Sequence, residues 1–143
     1  MKSGFAEEAM RALIADSDRQ TLDSVNIALS ICLPDCQMET TASGEDCLEA
    51  VKDRFPDIVT LDKDLPDGDG YDVLRQIKAH FQVPVIFLSG NNDEPEVVKV
   101  LELGADGYMT KPFRQFELMA RIRTLLKGKQ CNNQHVYYQP KEI

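Results

Sequence analysis

Between Asp57 and Gly70 the sequence reads DIVTLDKDLPDGDG. The apolar run 58–61 is short, contains β-branched residues and is flanked by proline and glycine residues, which is typical of a buried strand. Asp62 follows at the end of this run. A carboxylate in such a place loses hydration, so it is usually paired, bound to a metal or engaged in chemistry. The residues that the fold brings to the same place decide between these roles.

Strand-like and helix-like segments alternate along the chain. Four further apolar segments of strand length lie at 12–15, 38–42, 84–88 and 106–110. Apolar residues at helical spacing follow each strand, at 22–32, 45–55, 71–81, 94–103 and 113–127. Short connections between alternating strands and helices predict a parallel sheet with helices on both faces, because each return to the sheet requires a crossover helix.

The length of 143 residues fits one domain, which we place at 11–127 between an N-terminal extension 1–10 and a tail or linker 128–143. The net charge of −8 argues against direct nucleic-acid binding. No apolar run is long enough for a membrane span, and Glu7 and Glu8 interrupt any signal peptide, so we expect a cytoplasmic protein. The four cysteines show no C-x-x-C spacing, so we expect reduced thiols and no zinc site.

Four chemically distinct side chains fall at the predicted strand ends. Asp16 follows the first strand, Asp62 ends the third, Ser89 follows the fourth and Lys111 follows the fifth. An aspartate can accept a phosphoryl group, a lysine can pair with a phosphoryl oxygen, and a hydroxyl can donate to another. Clustered carboxylates repel phosphate, so Mg²⁺ or Mn²⁺ between them is also expected. This combination predicts phosphoryl transfer to Asp62.

The motifs LIADSD, VTLDKDLPDGDG, PVIFLSG and GADGYMTKPF together resemble the CheY-like receiver domain of two-component response regulators. The resemblance implies an α/β fold of flavodoxin-like type, with a doubly wound sheet of order 2-1-3-4-5 and five helices in three layers. It also implies a cis peptide bond before Pro112, which would aim Lys111 into the site. The phosphoryl donor would be a sensor histidine kinase or a phosphotransfer protein.

The resemblance further implies a switch. Phosphorylation of Asp62 would draw Ser89 inward, Tyr108 would follow, and the surface of the fourth helix, fifth strand and fifth helix would change its affinity for an output domain or protein. Such a domain is not an enzyme in the usual sense, because it promotes only its own metal-dependent phosphorylation and dephosphorylation.

The acidic cluster departs from the family pattern. Ser17 stands where the family has a second acid that binds the metal, which predicts weak metal binding. The metal ligands would be Asp16, Asp62 and the backbone carbonyl or side chain of Asp64, with Ser17 or Asp18 as a further candidate. Asp18 is equally suited to cap the following helix.

The last helix resembles that of regulators with a winged-helix DNA-binding domain, which dimerise through this face. Glu117 and Arg121 match that pattern, whereas Gly107 and Val97 depart from it, so homodimerisation stays open. No DNA-binding domain is visible in the sequence, and the output stays unknown.

Two other functions compete with a phosphorylated receiver. A pseudo-receiver would keep the fold as an interaction module without accepting phosphate, and Ser17 is its main support. A haloacid dehalogenase-type phosphatase also has a strand-end D-x-D motif, as in Asp62–Asp64, but Leu65-Pro66 replaces its usual continuation and no acidic motif follows Lys111. Sustained turnover of a phosphomonoester would identify the phosphatase, and failure to take up phosphate would identify the pseudo-receiver.

Overall fold

The computed structural model describes residues 10–131, so most of the predicted extension 1–10 and tail 128–143 lies outside the described residues. The strands are β1 (Arg11–Ala15), β2 (Gln37–Thr41), β3 (Ile58–Asp62), β4 (Asp64–Leu65), β5 (Gly68–Asp69), β6 (Val85–Ser89) and β7 (Gly107–Thr110). The helices are α1 (Arg19–Cys32), α2 (Gly44–Arg54), α3 (Gly70–His80), α4 (Glu94–Glu102) and α5 (Gln115–Cys131).

Five strands form a parallel sheet in the order β2-β1-β3-β6-β7. Counting only these strands along the chain gives 2-1-3-4-5, so the predicted topology is confirmed. β3 and β6 are buried along their whole length, whereas the edge strand β2 has no buried residue. This explains why the two central strands read as continuous apolar runs, while the edge strand carries Gln37, Glu39 and three other residues of mixed polarity.

Alternation along the strands divides the core into two apolar layers. On β1, Leu13 and Ala15 pack with residues of α2 and α3, while Ala12 and Ile14 pack with residues of α1 and α5. Each fully buried leucine or isoleucine side chain contributes roughly 1.5–3 kcal/mol. The sheet is thus held between two helical layers, which leaves its carboxyl edge open between the loops.

Side chains at the helix starts fix where several helices begin. Asp18 caps α1, Ser43 caps α2 by accepting from the backbone N–H of Asp46, and Asp69 caps α3. The cap at Asp18 was one of the sequence predictions.

Two details differ from the prediction. β4 and β5 form a two-residue antiparallel hairpin where only a loop was expected, since Pro66-Asp67-Gly68 provides a tight turn. α5 continues to Cys131, past the predicted end at 127.

The peptide bond between Lys111 and Pro112 is cis, as the family resemblance implied. Among residues 10–131, no helix is both long and apolar enough to cross a membrane.

Candidate functional site

The carboxyl edge of the sheet brings two buried acids and one base together. Asp16 lies just after β1 and is 1% exposed, while Asp62 ends β3 and is 5% exposed. Lys111, just after β7, places its Nζ 3.0 Å from Asp16 Oδ2 and 3.1 Å from Asp62 Oδ1. Three of the predicted site residues therefore meet around a single ammonium group.

The surroundings of Asp62 disfavour its ionised form. Burial raises the pKa of the Asp62 carboxyl above its ordinary value, the nearby Asp16 carboxylate raises it further, and Lys111 opposes both effects. Burial alone would lower the pKa of Lys111, but the Asp16 and Asp62 carboxylates outweigh it and hold that pKa above its usual range. The site thus holds two negative groups against one positive group, and it favours an additional cation.

Asp16 is held in place by its own loop. Its Oδ1 accepts a hydrogen bond of 2.9 Å from the backbone N–H of Asp18. Asp18 in turn directs its carboxylate to the start of α1, where Oδ2 accepts from the Thr21 backbone N–H at 3.3 Å and from the Thr21 hydroxyl at 2.7 Å. Asp18 therefore caps α1, which was one of its two predicted roles. Ser17 is exposed.

The loop after Asp62 is fixed at several points. The backbone N–H of Lys63 donates to Leu88 at 3.0 Å, and that of Gly70 donates to the Lys63 carbonyl at 2.8 Å. A Cβ at Gly70 would lie 2.5 Å from the Asp62 carbonyl oxygen, so only glycine permits this close approach. The backbone at Asp62 and the loop after it are consequently held by contacts on both sides.

The hairpin tip is also attached to the neighbouring helix. Asp67 accepts hydrogen bonds from the first backbone N–H groups of α2, at 2.8 Å from Gly44 and 3.1 Å from Glu45. These bonds hold the pKa of Asp67 below its usual value. Asp64, another acid of the hairpin, is also exposed.

The donor set fits a divalent cation bound through few protein ligands. Asp16 Oδ2 is buried and, among the described residues, lacks a hydrogen bond of good geometry, although the Lys111 ammonium lies close by. Mg²⁺ commonly binds through one or two carboxylates together with waters and phosphate oxygens, and Asp16 and Asp62 supply two. In the described part of the chain, no group of three or more His, Cys, Asp or Glu side chains could hold a metal. Asp16 and Asp62 are the side chains of this edge that could hold such a cation.

Ser89 and Tyr108 meet at a buried acid that the sequence analysis did not identify. Ser89 Oγ donates to Glu96 Oε2 at 2.8 Å, and the Tyr108 hydroxyl donates to the same oxygen at 2.9 Å. Asn91 Nδ2 donates to Oε1 at 2.9 Å, and Lys63 Nζ lies 3.3 Å from it. Lys63, Ser89, Asn91, Glu96 and Tyr108 are called the Glu96 cluster below.

The cluster keeps Glu96 charged although it is buried. Burial by itself would raise its pKa, but hydrogen bonds from Ser89, Tyr108, Tyr71 and Lys63 outweigh that effect and hold the pKa of Glu96 below its usual value. In sequence, Glu96 is one of two acids in the first turn of α4, where acids ordinarily face solvent. One feature of the sequence could have suggested burial. Glu96 lies four residues before Val100, residues four apart share one face of a helix, and Val100 is buried.

Comparisons with known proteins agree with this arrangement. A family model described as "Response regulator receiver domain" matches residues 12–123. The transcriptional regulatory protein AfsQ1 of Streptomyces coelicolor is 41% identical over 107 residues, which cover 73% of this chain and 48% of AfsQ1. KdpE of Mycobacterium tuberculosis is 37% identical over 115 residues, which cover 80% of this chain and 50% of KdpE. The chain thus spans about half the length of these curated relatives.

Solved structures give the same result. The response regulator DrrB of Thermotoga maritima, an OmpR/PhoB homologue, matches with a TM-score of 0.74 and 33% identity over 84% of this chain and 54% of that one. A CheY-like receiver domain protein of Methanospirillum hungatei matches with a TM-score of 0.75 and 27% identity over 85% of this chain and 96% of that one. With the family model spanning most of its length, the chain belongs to the response regulator receiver domain family of two-component systems.

Proposed function

We propose that the chain is a phosphorylation-dependent switch that accepts a phosphoryl group on Asp62. The observation that carries the proposal is the Lys111 ammonium, held within 3.1 Å of both buried carboxylates. An Asp62 oxygen would attack the phosphorus of a phosphohistidine, the phosphorus–nitrogen bond would break, and the imidazole would leave. Lys111 lies where it can pair with the transferred group and take up part of its charge.

A divalent cation held by Asp16, Asp62 and the Asp64 carbonyl would supply charge neutralisation for the incoming phosphoryl group. Because Asp18 caps α1 and Ser17 carries no charge, we propose that the loop after β1 offers the cation a single carboxylate, that of Asp16. We therefore propose that phosphorylation requires a higher Mg²⁺ concentration than in receivers with a third acid.

The proposed partners are a sensor histidine kinase or phosphotransfer protein, and an output domain or protein that reads the α4–β7–α5 surface. Three apolar side chains on this surface are exposed, Val98 at 47%, Leu101 at 46% and Phe116 at 82%. Val98 and Leu101 are three residues apart on α4 and therefore share one of its faces, which supports the proposal of a protein contact there. The Glu117–Arg121 pair, which resembled a dimer contact in sequence, is an exposed pair within α5 at 3.8 Å.

Intact-mass spectrometry after incubation with acetyl phosphate tests the proposal. Wild-type protein should gain one phosphoryl group in the presence of Mg²⁺ and none in EDTA, and Asp62→Asn should gain none. The control Asp72→Asn removes an exposed carboxylate from α3 and should behave as wild type. Uptake by Asp62→Asn would mean that the acceptor is another residue.

Uptake by no variant at any Mg²⁺ concentration would instead indicate a pseudo-receiver. Sustained hydrolysis of a phosphomonoester, well beyond one phosphate per chain, would indicate a phosphatase.

A further inference from the structure

The Glu96 cluster determines where two hydroxyl protons point. An ionised carboxylate has no proton to donate, so Ser89 and Tyr108 must both be donors to Glu96 Oε2. A serine hydroxyl has one proton. While Ser89 donates it to Glu96, the same proton is not available to a phosphoryl oxygen on Asp62.

The hydrogen bonds to Glu96 are strong ones. Bonds to a charged acceptor are about twice as strong as bonds between neutral groups, and they weaken little where water is excluded. Glu96 is 8% exposed and Ser89 is 1% exposed. The Tyr108 hydroxyl also contacts the Asn91 carbonyl, so its single proton is shared between that oxygen and Glu96 Oε2. The Asn91 backbone N–H donates to Ser89 Oγ at 3.0 Å. The two hydroxyl groups are therefore held by one connected network.

Lys63 links this network to the acceptor loop. It directly follows Asp62, and its Nζ lies 3.3 Å from Glu96 Oε1, with side-chain exposures of 28% for Lys63 and 7% for Glu96. The pair is sheltered enough to be screened less than a surface ion pair. Any movement of the backbone at Asp62 that displaces Lys63 weakens the compensation of the buried Glu96 charge.

We infer that Glu96 is a positioning residue that competes with a phosphoryl group on Asp62 for the Ser89 proton, and that Lys63 and Tyr108 support it in this role. The inference rests on the proposed phosphorylation of Asp62. Glu96 thereby stabilises the unphosphorylated arrangement of Ser89 and Tyr108, and its removal should favour the phosphorylated one.

The first part of the test needs no phosphoryl group. Protein labelled with 3-fluorotyrosine reports the surroundings of Tyr108 by fluorine NMR, with Tyr108→Phe used to assign its signal. Glu96→Gln should move the Tyr108 signal or add a second one, because the charged acceptor is lost. The control Glu102→Gln removes the same charge from an exposed position on α4 and should leave the spectrum unchanged. An unchanged Tyr108 signal in Glu96→Gln would overturn the inference.

The second part measures binding of beryllium trifluoride, which mimics a phosphoryl group on aspartate. Glu96→Gln should reach half-saturation at a roughly tenfold lower concentration than wild type, the size expected for one lost bond to a charged acceptor. In a Ser89→Ala background this gain should shrink, because no serine proton is left to compete for. If Glu96→Gln acted only by lowering the stability of the fold, its effect on binding would be the same with and without Ser89. Equal or weaker binding by Glu96→Gln would contradict the inference.

Lys63→Met keeps the inference testable if Glu96→Gln does not fold, and it should change both measurements in the same direction by a smaller factor. If no variant binds beryllium trifluoride but Glu96→Gln still shifts the Tyr108 signal, the proposed role of Asp62 fails and the positioning role of Glu96 stands.

Discussion

Replacing Lys111 by methionine tests whether its ammonium allows two carboxylates to be buried side by side. The side-chain exposures are 18% for Lys111, 0% for Asp16 and 7% for Asp62. At a separation of about 3 Å and an effective dielectric constant of about 20, each pair attracts by roughly 5 kcal/mol. Desolvation of the three ions offsets much of this attraction. Removing one partner of a buried ion pair costs roughly 3–5 kcal/mol, so we expect Lys111→Met to lose about 3 kcal/mol of unfolding free energy.

Urea denaturation followed by circular dichroism in EDTA measures this loss. The control Lys52→Met removes an exposed lysine from α2 and should change the unfolding free energy by less than about 0.5 kcal/mol. Added Mg²⁺ should restore more stability to Lys111→Met than to wild type, because a cation can then neutralise Asp16 and Asp62 in place of the ammonium. If Lys111→Met is within about 1 kcal/mol of wild type in EDTA, the ammonium does not compensate these carboxylates as argued.

Three further predictions concern the same edge of the sheet. Ser17→Asp should tighten Mg²⁺ binding roughly tenfold by calorimetry, since affinity rises with the number of charged ligands, whereas Ser30→Asp at the far end of α1 should not. Because the folded-state pKa of Asp62 is raised, wild type loses stability as pH rises from the ordinary value of 3.8 through that pKa. Asp62→Asn should therefore be more stable than wild type at neutral pH, and chemical denaturation should show the advantage vanishing below about pH 3.8; a constant difference would contradict the assignment. Gly70→Ala should lose roughly 1–3 kcal/mol, since its Cβ would meet the Asp62 carbonyl oxygen, and an unchanged urea midpoint would show that the loop can move aside.

The sheet and the residues at its carboxyl edge could be predicted because one rule applies to both. Alternating strand and helix periods require parallel strands, and parallel strands bring their ends together. Asp16, Asp62 and Lys111 were predicted in this way, and the structure brings them into contact. The cap at Asp18 was one of its two predicted roles, and hydrogen bonds from Thr21 confirm the cap.

Glu96 and the hairpin could not be predicted, for different reasons. Acids in the first turn of a helix are common and usually exposed, so sequence does not separate Glu96 from Glu94. Glu96 lies on α4, and the hydroxyl groups that bind it in its buried position come from Ser89 on β6 and Tyr108 on β7. Each strand of the hairpin has only two residues, which is too short for an alternating pattern of apolar and polar residues to be recognised in the sequence.

The attachment of Asp67 to the start of α2 bears on how a donor protein would meet Asp62. A free loop would have to become ordered at the moment of encounter, and that ordering costs roughly 1–2 kcal/mol per residue. Here hydrogen bonds hold the turn to α2. The backbone of Gly70 packs directly against the backbone at Asp62 in the folded chain. The loop is therefore already ordered in the folded chain, and the proposed phosphoryl donor would not have to order it on binding. A docking protein can then be selected by the surface around the site, with no need to shape the loop itself.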